Sequence, residues 1–92
     1  MIKSFKHRSL KRLYEKDIST GISPDLRSKI KKVLLFLDSM DDPKGASLPH
    51  WRLHQLKGNR KDQWAVSVSA NYRVTFRFVE GDVEDVDLID YH

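Results

Sequence analysis

Three consecutive residues near the end of the sequence, Asp90, Tyr91 and His92, set a carboxylate, a phenol and an imidazole side by side. Imidazole changes charge near neutrality, so His92 can give or take a proton at ordinary pH. A second imidazole, His54, heads the stretch His54-Gln55-Leu56-Lys57-Gly58-Asn59-Arg60-Lys61. There Lys57, Arg60 and Lys61 flank a Gly-Asn turn, and cations so placed suit a phosphate. Arg73 and Arg77 lie on one face of an alternating segment, in a context that favours β-branched and aromatic residues, which raises the question of what each contacts. Arg77 stands next to Glu80-Gly81-Asp82, and a hairpin closed there offers it Glu84, Asp85 or Asp87 across the strands. Arg73 lies at the far end of the same segment. The hairpin brings it beside Ile89 and Asp90, just before Tyr91 and His92. His50 and His54 have helical spacing, but they follow Pro49 in a segment that reads as extended, and the chain has no cysteine. No metal site and no cofactor are expected on these grounds.

A small scaffold has to carry these groups. Ninety-two residues suit one domain, here residues 1–92, with a single modest core. Ile2 to Phe5 reads as a brief opening strand. Lys6 to Lys16 reads as a helix, with Leu10, Leu13 and Tyr14 on one side. Ser23-Pro24-Asp25 starts a second helix with a capping hydroxyl, a proline at the first position and an acid near the positive dipole end. Leu26, Ile30, Val33, Leu34 and Leu37 give that helix its apolar stripe as far as about Met40. Trp51 to Lys57 reads as a short extended segment, with Leu53 and Leu56 partly inward. Trp64 to Ser69, Arg73 to Val79 and Val83 to His92 alternate as strands. Val74, Phe76 and Phe78 face the core; Val86 and Leu88 share one side of the last strand, and Ile89 takes the other. Helices followed by strands imply an α+β domain. The expected fold is a small antiparallel sheet, a short N-terminal strand plus a C-terminal meander, packed against two N-terminal helices. The outer face of the sheet is left polar and basic.

Charge is distributed unevenly along the chain. Residues 1–32 hold ten Lys/Arg against three Asp/Glu, whereas residues 64–92 hold two against six. A basic front suggests a polyanionic partner, although a solvated helix face gives the same composition. The opening residues lack the apolar core of a secretory signal, and no apolar run approaches the ~18 residues of a membrane span. A cytoplasmic protein is expected.

The order Leu53-His54-x-Leu56-Lys57-Gly58-x-Arg60, Trp64, Val66-x-Val68, Asn71-Tyr72-Arg73-Val74-x-Phe76-x-Phe78 and Asp90-Tyr91-His92 resembles the HigB toxins of the RelE/ParE superfamily. The resemblance covers nearly the whole chain, including Ile2-Lys3-Ser4-Phe5. Gln55 and Lys61-Asp62-Gln63 depart from the pattern, within a turn. The resemblance implies a ribosome-dependent mRNA interferase, an endoribonuclease neutralised by a HigA-type helix-turn-helix antitoxin, and a toxin that is monomeric when free. Metal-free RNA cleavage needs a base for the 2′-OH, cations for the phosphorane-like charge and an acid for the departing 5′-oxygen. His54 and His92 would supply base and acid in either order, and Asp90 would orient or stabilise one of them. Arg73 and Lys57 would grip the scissile phosphate, and Tyr91 would stack on a base or bond the ribose. Outside the active site, Lys6, Arg8, Lys11, Arg12, Lys29, Lys31 and Lys32 would contact ribosomal RNA phosphates, and Arg60 would join the RNA- and ribosome-binding set. A tag after His92 would impair activity more than one before Met1. Two rivals fit the same scaffold, a ParE-like gyrase-inhibiting toxin and a non-catalytic RNA- or protein-binding regulatory module.

Overall fold

A computed structural model describes residues 1–40, 53–56 and 63–90 of the chain. Helix α1 (Arg8–Lys16) buries Leu10 and Leu13. It begins two residues later than the leucine spacing predicts, because His7 is its cap: His7 Nδ1 accepts the Leu10 N–H at 3.3 Å. Asp17 ends the helix in the left-handed conformation at φ 55°, which a short carboxylate side chain tolerates. Gly21 (φ 89°) follows in the turn, where an added Cβ would lie 3.2 Å from Ser9 Cβ and closer still to its hydroxyl. Helix α2 (Pro24–Ser39) carries Pro24 and Asp25 in its first turn, as expected, and buries Ile30, Val33, Leu34 and Leu37. The Ser23 hydroxyl, expected as its cap, makes no capping bond. The Ser23 carbonyl closes the first turn instead, accepting the Leu26 N–H at 2.9 Å. No helix among the described residues is long and apolar enough to cross a membrane.

Four antiparallel strands follow in the order β1 (His54–Gln55), β2 (Gln63–Ser67), β3 (Tyr72–Val79) and β4 (Asp82–Asp90). The two helices cover one face of this sheet, giving an α+β fold. Val66, Val74, Phe76, Val83 and Val86 join Leu10, Leu13, Ile30, Val33 and Leu37 in one core, with Leu53, Tyr72, Phe78 and Leu88 packed against it. Leu56 does not join that core. Its N–H bonds the Gln63 carbonyl at 2.9 Å, and it sits on the opposite side of the sheet from Leu53.

Near its turn the β3–β4 hairpin pairs Val79 with Asp82, Phe78 with Val83 and Arg77 with Glu84; beyond a register shift it pairs Thr75 with Asp87, Val74 with Leu88 and Arg73 with Ile89. The extra residue lies in β4, where Asp85 has φ 54°. This bulge explains how Val83 and Val86, three positions apart, are both fully buried. Strict alternation would have turned one of them to solvent.

The first residues do not form a strand of the meander. They run parallel to β4 along its outer edge, through two isolated bridges, Ile2 to Val83 and Phe5 to Val86. Backbone bonds Lys3 N–H to Val83 O (2.7 Å) and Lys6 N–H to Val86 O (2.8 Å) hold them there, answered by Val86 N–H to Ser4 O (3.1 Å).

Asp38 ties this segment to both helices. Its Oδ1 accepts from the Tyr14 hydroxyl at 2.6 Å and from the Ile2 N–H at 3.1 Å. The Tyr14 hydroxyl, then the Ile2 N–H, hold the Asp38 carboxyl below its ordinary range; the bond to Asp38 pushes Tyr14 up to about 12. Because the Asp38 pKa is lower folded than unfolded, its contribution is present above the ordinary carboxylate range and lost as pH falls through it. That of Tyr14, raised on folding, is present below its ordinary pKa and lost as pH rises towards the folded value. Asp38→Asn is therefore expected to melt below the parent at pH 7. The gap should shrink as both proteins are taken to pH 3, read by circular dichroism melts across that range.

Candidate functional site

Paired residues in an antiparallel sheet point to the same side, so the register assembles the outer face row by row. One row runs His54, Ala65, Thr75, Asp87; its neighbours run Ser67, Arg73, Ile89 and Gln63, Arg77, Glu84. Helices cover the other side. Ala65 and Thr75 are small, and the outer face dips over them into an open concavity of about 370 Å³, walled by Leu56, Gln63, Arg73, Arg77, Ile89 and Lys6. Asp85 and Asp87 also line it.

Arg77 takes the cross-strand partner expected of it, with Nη1 3.3 Å from Asp85 Oδ2. Asp85 is held by the N-terminal segment as well: its N–H donates to Ser4 Oγ at 2.9 Å, and Ser4 Oγ donates to Asp85 Oδ1 at 3.4 Å. Asp87 Oδ1 accepts the Leu88 N–H at 2.9 Å.

His54 and Arg73 therefore share a face. Strand spacing of about 4.8 Å and a rise of about 3.3 Å per residue put their Cα atoms roughly 12 Å apart. Asp90 follows Ile89 beside Arg73 across the hairpin, and the register fixes its facing. The hairpin does set Arg73 opposite Ile89, but Asp90 pairs with Tyr72, and alternation turns it to the other side of β4 from Arg73. Tyr91, His92, Lys57 and Arg60 lie outside the described residues, as does the turn at Gly58-Asn59. Arg8, Lys11 and Arg12 are exposed on α1; Lys31 and Lys32 are exposed on α2, and Lys29 is half-buried there. Lys31 Nζ lies 2.8 Å from Asp17 Oδ1, so part of the basic helix face is balanced internally. Lys6 is not on α1 at all. It belongs to the connector from the sheet edge and lines the concavity. Thr75, Gln63 and Asp85 are site residues that sequence reasoning did not single out for chemistry. The alternation of the two central strands was a usable signal for the first two.

Comparison with known proteins gives concordant results. Residues 3–92 match the family described as the RelE-like toxin of the type II toxin-antitoxin system HigB. The chain is 38% identical over 92 residues to Endoribonuclease HigB of Proteus vulgaris, covering 100% of both. A copper-bound mutant toxin from Helicobacter pylori superposes with a TM-score of 0.61 at 18% identity, over 98% of this chain and 94% of that one. A YafQ mutant from E. coli gives 0.62 at 13% identity, over 98% and 91%. A YoeB dimer from Staphylococcus aureus gives 0.59 at 17% identity, over 99% and 94%. At such identities these structures speak to the fold alone.

Proposed function

This chain belongs to the RelE-like toxins of the HigB type II toxin-antitoxin system, and from that premise we propose that it is an endoribonuclease that cuts messenger RNA on the ribosome. A type II toxin has an antitoxin partner; here that partner is a HigA-like helix-turn-helix protein, and the free toxin is a cytoplasmic monomer. The observation that carries the reading is that the register puts His54 and Arg73 on one face of the sheet, with Arg73 on the wall of a concavity that has small residues at its floor. Arg73 offers a planar fork of donors to the scissile phosphate. His54 takes one of the two proton transfers, from the 2′-OH or to the 5′-oxygen, and His92 takes the other. Lys57 adds charge at the phosphate, and Tyr91 stacks on or bonds the nucleotide. Asp90 acts from the end of β4 on the residues that follow it.

The basic helices lie on the layer behind the sheet and serve a different surface. Reversing Lys11, Arg12 and Lys32 to Glu together is expected to weaken ribosome binding about 10-fold or more at 50 mM salt, with the difference shrinking at 200 mM. Sedimentation with ribosomes at the two salt concentrations checks this. Unchanged binding at low salt would leave these residues as a solvated surface.

Purified protein incubated with ribosomes and a defined message, followed by mapping of 5′ ends, tests the function. Cuts that require ribosomes are the expected outcome. Inhibition of gyrase without cuts would point to the ParE-like alternative, and neither effect to a non-catalytic binding module.

A further inference from the structure

We propose that Lys6 is a substrate-contacting residue that holds a message phosphate at the concavity, beside Arg73; this rests on the RNA-cleaving reading above. Three observations place it there. First, its backbone is fixed. The Lys6 N–H bonds the Val86 carbonyl at 2.8 Å, the His7 N–H reaches the same oxygen at 3.3 Å, and Phe5 bridges Val86. The neighbouring Phe5 ring packs on Tyr14 with centroids 5.4 Å apart. With Phe5 turned to the core, the next residue turns to the outer face. The His7 cap begins α1 only at Arg8, which keeps Lys6 off the helix. Such a residue projects from a rigid element, the condition for a precise site.

Second, Lys6 adds positive charge where the described lining is otherwise balanced. Among the described residues, the charged groups lining the concavity are Lys6, Arg73 and Arg77 against Asp85 and Asp87. Arg73 and Arg77 are matched in number by the two carboxylates, and Lys6 is the cation beyond that match. A phosphodiester brings one negative charge, so this added cation favours attraction of message.

Third, the Arg77 guanidinium is committed to Asp85, while the Lys6 ammonium has no ion-pair partner among the described residues. An exposed ammonium on a flexible stem, held only at its root, suits a phosphate met as a point charge.

The test compares Lys6→Gln and Lys6→Arg with the parent and with Lys11→Gln. Ribosome binding, thermal melting and single-turnover cleavage of a ribosome-bound message are each measured. Lys6→Gln is expected to slow cleavage on the order of 100-fold, with melting and ribosome binding as in the parent, and Lys6→Arg to recover most of the rate. Messages carrying one neutral methylphosphonate at each linkage around the cut add an independent readout. At one linkage the parent should fall to the Lys6→Gln rate while Lys6→Gln loses nothing more. Parental cleavage by Lys6→Gln overturns the proposal. So does a loss of ribosome binding matching its loss of cleavage, or penalties that multiply at every linkage. If the parent itself cuts no ribosome-bound message, the toxin reading has failed, and Lys6 falls with it for that separate reason.

Discussion

Replacing Arg73 with glutamine is expected to lower message cleavage about 100- to 1000-fold while leaving the melting curve close to that of the parent. Arg73 sits mid-way along the outer face between Ser67 and Ile89. Its side chain lies opposite the core-facing Val74, so its loss opens no cavity. Arg73 and Arg77 occupy the two rows that flank the His54 row, and Arg77 is ion-paired with Asp85; a charge-assisted donor aimed at developing negative charge is worth several kcal/mol in a confined site. Arg73→Lys should recover little of the rate, because a point charge does not reproduce the planar two-point grip on a phosphate. Single-turnover cleavage on ribosomes, with melting measured on the same preparations, decides the matter. Cleavage by Arg73→Gln within tenfold of the parent would mean that another group carries the phosphate.

The second large effect concerns the bulge in β4. Asp85→Val is expected to destabilise the protein by about 2–4 kcal/mol. A β-branched residue forced to φ 54° bears a strain of roughly 1–3 kcal/mol, and each lost contact to Ser4 or Arg77 adds about 1 kcal/mol. In a domain of this length the melting temperature should fall by about 10 °C or more. Asp85→Gly separates the two causes, since it accepts the backbone conformation and removes only the carboxylate; its loss should be the smaller. Thermal melts of the pair against the parent give the answer. If Val and Gly melt together, the left-handed conformation at this position is not what the bulge depends on.

The hairpin that sets Arg73 against Ile89 is legible from alternation in Arg73 to Val79 and the Glu80-Gly81-Asp82 turn, because both depend on contacts close in sequence. The helix stripes are legible for the same reason. The bulge is harder to see. Its signal is the spacing of Val83 and Val86 with an aspartate between them, and regular alternation has no place for that extra residue. As a result the side facing of Asp90 could not be read from pairing alone. The parallel docking of Ile2 and Phe5 left no periodic trace, since it joins residues some eighty positions apart. Sequence alone puts Lys6 at the start of a helix, because a basic residue ahead of a leucine stripe is compatible with helix. The His7 side chain, accepting a backbone N–H, moves the boundary and turns Lys6 towards the sheet. Of the chemical groups, His54 and Arg73 follow from strand pairing.

The bridges from Ile2 to Val83 and from Phe5 to Val86 also order events during synthesis. Residues made first are held by residues made more than seventy positions later, and β4 supplies both the edge they dock on and two valines at the centre of the core. Closing so long a loop comes late and is slow compared with forming helices or a hairpin. While β4 is still inside the synthesising ribosome, Asp38 can meet Tyr14, but the N-terminal segment has no edge to hold it and Arg77 has no Asp85. The face that bears Arg73 is therefore complete only after β4 has emerged, later than the contact between the two helices. Docking of the N-terminal segment and completion of the outer face share one late step of folding.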